Sequence, residues 1–139
     1  MKVLLVEDDP LQAEAILEQL EESFPESRVL HISTECEFRE RIDEITDFAP
    51  EAAIVDMMLR WADPRPDVNQ AVPEEVRREK HYRAGLRCQR LLSEKLGPKS
   101  PRVIIYTVLE KTDIYELPEN VEYLAKEGDL APLLAKLHR

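Results

Sequence analysis

The stretch KVLLVEDDP, residues Lys2–Pro10, joins a short apolar run to three consecutive acids and a proline. Branched apolar side chains in a short run bounded by polar residues are typical of a strand buried on both faces of a parallel sheet. Asp9 and Pro10 form a helix-start signal, because an aspartate caps free N–H groups and proline fits the first helical turn. The stretch therefore predicts a strand followed directly by a helix, with Glu7 and Asp8 at the carboxyl end of the strand.

The same arrangement recurs at three further points of the chain. Each apolar run is followed by a residue that is able to bind or transfer a phosphoryl group: Ala52–Val55 precedes Asp56, Val103–Tyr106 precedes Thr107, and Val121–Ala125 precedes Lys126. In a parallel α/β sheet the functional groups lie just beyond the carboxyl ends of the strands, so these side chains are predicted to meet at one edge. Clustered carboxylates suit Mg²⁺ or Mn²⁺, and a carboxylate nucleophile with a nearby cation suits phosphoryl transfer.

Hydrophobic periodicity and turn signals predict alternating strands and helices along most of the chain. The predicted strands are Lys2–Glu7, Arg28–Ile32, Ala52–Asp56, Arg102–Tyr106 and Val121–Ala125. The predicted helices are Pro10–Ser23, Thr34–Phe48, Glu74–Leu96 with a break near Gly85, and Asp129–His138. Two segments depart from the alternation, since Arg60–Pro73 holds three prolines and predicts an extended connection, and Glu110–Asn120 is short and interrupted by Pro118.

Length and charge restrict the class of protein. A chain of 139 residues suits one domain, and its net charge of −10 argues against non-specific binding to nucleic acid. Residues 1–59 hold 16 acidic and 4 basic side chains, whereas residues 60–102 hold 6 acidic and 11 basic ones. We interpret the basic segment as solvated charge on a helix.

Cys36 and Cys88 are too few for a disulfide framework, so reduced thiols are expected. No apolar run reaches membrane length and the first residues begin a strand, which predicts a cytoplasmic protein that binds no membrane.

At its strand ends the chain resembles the receiver domain of two-component response regulators. Val6–Pro10 is similar to the acidic-pair segment of that family, with the pair at Glu7 and Asp8 and with Asp9 as a helix cap. Ile54–Leu59 is similar to the phosphoacceptor segment, Tyr106-Thr107 to the end of the fourth strand, and Glu122–Lys126 to the end of the fifth. The resemblance implies a flavodoxin-like, doubly wound α/β fold: a five-stranded parallel sheet in the order 2-1-3-4-5 with helices on both faces.

The resemblance also implies a role for each site residue. Mg²⁺ would be held by Asp8, Asp56 and the backbone carbonyl of Met58, with Glu7 acting largely through water. Asp56 would be the phosphoacceptor, which attacks a phosphohistidine on a histidine kinase or a histidine phosphotransfer protein. Thr107 and Lys126 would then contact the phosphoryl oxygens, and Thr107 and the aromatic Tyr123 would act as the switch that changes binding to a downstream protein.

Several positions depart from the family pattern. Glu127 stands where receivers usually have a proline after the lysine, and Arg60 replaces the usual proline after the phosphoacceptor segment. An insertion over about residues 60–84, between the third strand and the third helix, predicts either a partner-binding segment or a tolerated surface insertion. The fourth helix is predicted to be reduced, Val108 to narrow access to Asp56, and the single tryptophan, Trp61, to pack against the insertion or to anchor an interface.

We therefore expect residues 1–139 to form a single receiver domain without an output domain. Its predicted function is a phosphoacceptor switch that changes binding to protein partners. The alternative is a phosphorylation-independent interaction module on the same fold. A small enzyme that turns over an external substrate is disfavoured, because no glycine lies in the first strand–helix turn to cradle a phosphate.

Overall fold

Five parallel strands form one sheet in the order β2-β1-β3-β4-β5 in the computed structural model, which describes residues 1–62 and 72–139. The strands are β1 (Lys2–Val6), β2 (Arg28–Ile32), β3 (Ala52–Val55), β4 (Arg102–Thr107) and β5 (Val121–Ala125). The central strands β1 and β3 are almost wholly apolar because helices cover both of their faces. The predicted strand order is confirmed, and each predicted strand agrees with the observed one to within one residue.

Six α-helices accompany the sheet in the described residues. They are α1 (Pro10–Ser23), α2 (Glu35–Glu40), α3 (Ile42–Phe48), α4 (Glu74–Glu79), α5 (Ala84–Leu96) and α6 (Ala131–Leu137). One core lies between the sheet and α2, α3 and α5, and the other lies between the sheet and α1 and α6. None of the helices in residues 1–62 and 72–139 is long and apolar enough to cross a membrane.

The prediction of one helix over Thr34–Phe48 is wrong, since this segment forms the two helices α2 and α3. The break falls at Arg41, whose backbone (φ −99°, ψ 18°) leaves the helical range. The Arg41 guanidinium donates hydrogen bonds to Glu37 at 2.7 Å and to Glu44 at 2.6 Å, one acid from each helix. These ion pairs bridge the two helices across the break.

The helix predicted over Glu74–Leu96 is also divided, and the break lies at Lys80 rather than near Gly85. Lys80 has a positive φ of 60°, which ends α4, and a short 3₁₀ turn over His81–Arg83 leads into α5. The Lys80 carbonyl accepts a 2.7 Å hydrogen bond from Arg87, which holds this conformation. The interpretation of the basic segment as solvated charge is wrong for Arg87, whose side chain is only 1% exposed.

Between β4 and β5 the chain forms a single 3₁₀ turn, Lys111–Asp113, and no α-helix. The predicted reduction of the fourth helix is therefore confirmed. Of the predicted insertion, residues 63–71 lie outside the described residues, and residues 72–84 contain α4 and the turn that follows it. Cys36 and Cys88 form no disulfide, as expected from their number and spacing, and both are buried.

Trp61 lies between α2 and the described part of the insertion. Its carbonyl accepts a 2.7 Å hydrogen bond from the Cys36 N–H, and the Arg39 guanidinium lies 5.9 Å from its ring centroid. It also lines one cavity together with Val76 of α4 and His81 of the following turn. The structure thus favours packing against the insertion over a role as an exposed interface anchor.

Candidate functional site

Three acids meet at the carboxyl edge of the sheet. Glu7 and Asp8 directly follow β1, and Asp56 directly follows β3. Because β1 and β3 are parallel neighbours with Val6 paired to Val55, the next residues of the two strands lie side by side. One carboxylate oxygen from each acid lies within 4.8 Å of the others, so the three side chains form a group able to hold a metal ion.

Lys126 connects two of these acids. It follows β5, and its Nζ donates hydrogen bonds to Asp56 Oδ2 at 2.8 Å and to Glu7 Oε1. The backbone N–H of Lys126 donates to the Thr107 carbonyl at 2.9 Å, which extends the β4–β5 pairing to this residue. The side chain is only 9% exposed, so the ammonium is held inside the acid group rather than in bulk solvent. Its peptide bond to Glu127 is trans, like every other described one.

The electrostatic balance of the group is negative. Burial and the neighbouring Asp56 raise the pKa of Glu7 to about 7, although the hydrogen bond and charge of Lys126 act in the opposite direction. Burial works to lower the pKa of Lys126, but Asp56 and Glu7 outweigh burial and raise it. One ammonium thus contacts two of the three carboxyl groups, and an additional cation would relieve the remaining repulsion among them.

The backbone after Asp56 is fixed by a close contact with α5. Gly85 N–H donates to the Met57 carbonyl at 2.9 Å, and a Cβ at Gly85 would lie 2.2 Å from the Asp56 carbonyl oxygen. Only glycine allows this approach, which places the start of α5 against the segment that carries Asp56. The sequence analysis associated Gly85 with a helix break, and the close approach is a role that it missed.

Asp8 is engaged by Arg60, a contact that the sequence analysis did not predict. Asp8 Oδ2 accepts a 3.1 Å hydrogen bond from the Arg60 backbone N–H and lies 3.5 Å from the guanidinium Nε. A second guanidinium nitrogen, Nη2, donates to the Asp8 carbonyl at 3.1 Å. The only signal in the sequence was the presence of arginine where the resemblance leads one to expect proline.

Thr107 and Tyr123 form a second layer behind the acids. Thr107 is wholly buried at the end of β4, and its hydroxyl accepts a 3.4 Å hydrogen bond from the Leu109 N–H. The Tyr123 hydroxyl donates to the Leu109 carbonyl at 2.6 Å. Burial, with the nearby acid Glu110 adding to its effect, raises the pKa of Tyr123. Both predicted switch residues therefore contact the same residue of the loop after β4.

An open cavity of about 510 Å³ lies over the acid group. It is lined by residues from helix α1 and from five turns or loops: Glu7, Asp8, Asp9, Gln12, Asp56, Met58, Leu59, Arg60, His81, Val108, Lys126 and Gly128. Val108 is 63% exposed and His81 comes from the turn after α4, so a segment of the predicted insertion contributes to the wall.

Asp9 caps α1 by accepting a 3.0 Å hydrogen bond from Leu11 N–H, as the sequence predicts.

The structure thus brings Glu7, Asp8, Asp56 and Lys126 together around one cavity, and it places Met58 in the wall of that cavity. Thr107 and Tyr123 do not line it. The arrangement offers a carboxylate beside an ammonium and two further acids. Such an arrangement is chemically able to supply a nucleophile, a fixed cation and hard oxygen ligands for a metal ion.

No protein-family model matches this sequence, and no curated protein is similar to it. Solved structures do resemble it. The signal receiver domain of a DNA-binding response regulator from Colwellia psychrerythraea 34H superposes with a TM-score of 0.68 at 15% identity, over 99% of this chain and 95% of that one. The BeF₃-activated N-terminal receiver domain of Klebsiella pneumoniae RstA gives 0.66 at 21% identity, over 99% and 96%.

A third structure is the response regulator TrrA from Thermotoga maritima in complex with Mg²⁺ and BeF. It superposes with a TM-score of 0.64 at 17% identity, over 99% of this chain and 96% of that one. Structural similarity at 15–21% sequence identity establishes the fold of this chain and nothing further. The chain therefore has the fold of a response regulator receiver domain over nearly its whole length.

Proposed function

We propose that this chain is a phosphoacceptor signalling domain in which Asp56 receives the phosphoryl group. The single observation that supports this most strongly is the contact of Lys126 Nζ with Asp56 at 2.8 Å and with Glu7 inside a group of three acids. A lysine in this position neutralises charge on the oxygens of a transferring phosphoryl group. The receiver fold provides independent support, because its site lies at this edge of the sheet.

The residues present fit a divalent cation. Glu7, Asp8 and Asp56 offer hard carboxylate oxygens within 4.8 Å of one another, and the cavity leaves room for water ligands. We propose that Asp8, Asp56 and the Met58 carbonyl would hold Mg²⁺ (or Mn²⁺), with Glu7 acting through water. When bound, the ion supplies neutralising charge to the phosphoryl oxygens and to the acids.

The proposed reaction is a transfer from a phosphohistidine to Asp56. A carboxylate oxygen of Asp56 attacks phosphorus and forms a P–O bond, while the P–N bond to the imidazole of the donor breaks. The imidazole nitrogen keeps the electron pair of that bond and takes up a proton from solvent. Lys126, already beside Asp56, faces the new phosphoryl oxygens without a large movement.

The donor would be a histidine kinase or a histidine phosphotransfer protein, and the outcome would be a change in binding to a downstream protein. Thr107 and Tyr123 support such a change, because both contact Leu109, which lies in the loop directly after β4. A movement of Thr107 towards new charge at Asp56 would alter the Leu109 contacts and release the Tyr123 hydroxyl. The surface of β4 and β5 would then present a different face to a partner.

The function is tested by incubating the full chain with Mg²⁺ and acetyl phosphate and recording its intact mass. One phosphoryl group is expected on the wild type, and none on Asp56→Asn. Asp9→Asn is the matched control, since it makes the same chemical change beside the acid pair, at a helix cap that asparagine also fills. That variant is expected to be phosphorylated like the wild type.

A chain that takes up no phosphoryl group from acetyl phosphate, from phosphoramidate or from a phosphorylated histidine phosphotransfer protein would contradict the proposal. Phosphoryl uptake by Asp56→Asn equal to that of the wild type would contradict the assignment of the acceptor. In the first case the phosphorylation-independent interaction module becomes the better description of this fold, and in the second a residue other than Asp56 is the acceptor.

A further inference from the structure

Each acid of the site is in contact with a basic side chain of the chain itself. Lys126 binds Glu7 and Asp56, and Arg60 binds the third acid, Asp8. The two cations differ in burial, because the Lys126 side chain is 9% exposed whereas that of Arg60 is 51% exposed. The buried cation is part of the site, and the exposed one lies at its rim.

The backbone of Arg60 is held in place independently of its guanidinium. Its carbonyl accepts a 3.0 Å hydrogen bond from Glu35 N–H, and the next carbonyl, that of Trp61, accepts one from Cys36 N–H at 2.7 Å. The Arg60 N–H donates to Asp8 Oδ2 at 3.1 Å. The start of α2 thus fixes the segment beside Asp8, and the half-exposed guanidinium is able to leave while the backbone stays.

We propose that the Arg60 guanidinium is a resident counter-ion of Asp8 which a divalent cation must displace, so that Arg60 sets the affinity of the site for Mg²⁺. The proposal rests on the metal-binding acids of the proposed function. A unit positive charge within a few ångströms of a divalent ion, in surroundings open to water, lowers its affinity by roughly three- to tenfold at low ionic strength. Without metal, the same charge offsets the repulsion among the three acids.

The test is calorimetric titration of Mg²⁺ into the full chain at low ionic strength. Arg60→Gln is expected to bind Mg²⁺ roughly three- to tenfold more tightly than the wild type, because the competing charge is gone while the backbone N–H remains. Arg60→Lys, which keeps the charge, is expected to stay close to the wild type. Arg28→Gln makes the same change in net charge at the start of β2, at the opposite edge of the sheet, and is expected to leave the affinity unchanged.

Thermal unfolding gives a second measurement that does not depend on phosphorylation. In chelator, Arg60→Gln is expected to unfold at a lower temperature than the wild type, and saturating Mg²⁺ is expected to remove that difference. Unchanged or weaker Mg²⁺ binding by Arg60→Gln, beside normal binding by the wild type, would overturn the counter-ion proposal alone. Failure of every chain to bind Mg²⁺ would overturn it together with the metal site of the proposed function.

Discussion

Two groups of charged side chains in this molecule are built in opposite ways. The first is the acid group of the site, Glu7, Asp8 and Asp56, in which one buried cation, Lys126, contacts Glu7 and Asp56. The second, here called the interhelix network, joins α2, α4 and α5 through three acids and three arginines: Glu35, Glu75, Glu79, Arg39, Arg87 and Arg90. The network balances its charges within the protein, and the acid group does not.

The centre of the interhelix network is fully satisfied. Arg87 donates to both carboxylate oxygens of Glu35 at 2.7 Å, to Glu79 at 3.2 Å and to the Lys80 carbonyl at 2.7 Å. The side chains of Arg87 and Glu35 are 1% and 0% exposed. A buried pair with such geometry holds elements together without any ligand, whereas an excess of buried negative charge favours binding of a cation. The difference separates a structural group of charges from a functional one.

Breaking the interhelix network should have the largest effect on stability. Arg87→Met removes both 2.7 Å hydrogen bonds to buried Glu35 and leaves it the single contact with Arg39 at 3.1 Å, which is expected to lower the free energy of unfolding by about 3–5 kcal/mol. Urea denaturation measures the loss, and Mg²⁺ should not reverse it. Arg77→Met, on the exposed surface of α4, is the control and is expected to change stability by less than about 0.5 kcal/mol.

The double variant Arg87→Met/Glu35→Met replaces both charges by apolar side chains and is expected to recover most of the lost stability. An Arg87→Met variant as stable as the wild type would mean that the contact with Arg39 is enough for Glu35, or that Glu35 takes up a proton without cost. The interhelix network would then not be needed to stabilise the fold, and it would no longer differ from the acid group in that respect.

Removing the cation from the acid group should have a smaller effect that a metal reverses. Lys126→Met leaves Glu7 and Asp56 facing each other, which is expected to lower the free energy of unfolding in chelator by about 1–2 kcal/mol. Saturating Mg²⁺ should restore this loss and stabilise the variant more than it stabilises the wild type. Thermal unfolding with and without Mg²⁺ provides the measurement. If Mg²⁺ restored Lys126→Met and Arg87→Met to the same extent, the distinction between a metal-binding and a structural group of charges would be wrong.

The smallest expected effect lies at the edge of the interhelix network. A hydrogen bond from Arg39 lowers the pKa of Glu75 below its ordinary value of 4.5, against an opposing effect of burial. An acid with a lowered pKa stabilises the fold above pH 4.5, and this contribution is lost as the pH falls through the lowered value. Wild-type stability should therefore fall more steeply below pH 4.5 than that of Glu75→Gln, by under about 1 kcal/mol in total.

Urea denaturation between pH 3 and pH 6 measures this difference in slope. Glu74→Gln, the exposed neighbour on α4, is expected to keep the slope of the wild type. Identical slopes for Glu75→Gln and the wild type would show that the Arg39 contact contributes nothing measurable to stability.

The strands and the edge at which the acids meet could be predicted because their signals are local. A run such as Val3–Val6 is apolar throughout since both faces are covered, and the polar residue that follows marks the end of the strand. The resemblance to receiver domains then supplies the strand order, which places β1 beside β3 and brings Glu7 near Asp56. The helix breaks at Arg41 and Lys80 depend on backbone torsions that no residue type there dictates.

The two most informative charge contacts could not be predicted, because neither Arg60 nor Arg87 directly follows a strand of the sheet. Arg60 and Arg87 both belong to a basic segment whose composition is equally typical of a solvated surface. Their partners, Asp8 and Glu35, follow from how α2, α5 and the segment after β3 pack in three dimensions. Local sequence patterns carry no record of such long-range pairing.

The close approach of Gly85 to Asp56 restricts which residue can occupy position 85. Even an added methyl group would lie 2.2 Å from the Asp56 carbonyl oxygen. Replacing Gly85 by alanine would therefore displace α5 from the segment Asp56-Met57. Gly97 and Gly128 have positive φ but open space around them, so a side chain there would strain the backbone without meeting a neighbouring atom. Position 85 is therefore the glycine at which any side chain would disturb the packing of α5 against the segment after β3.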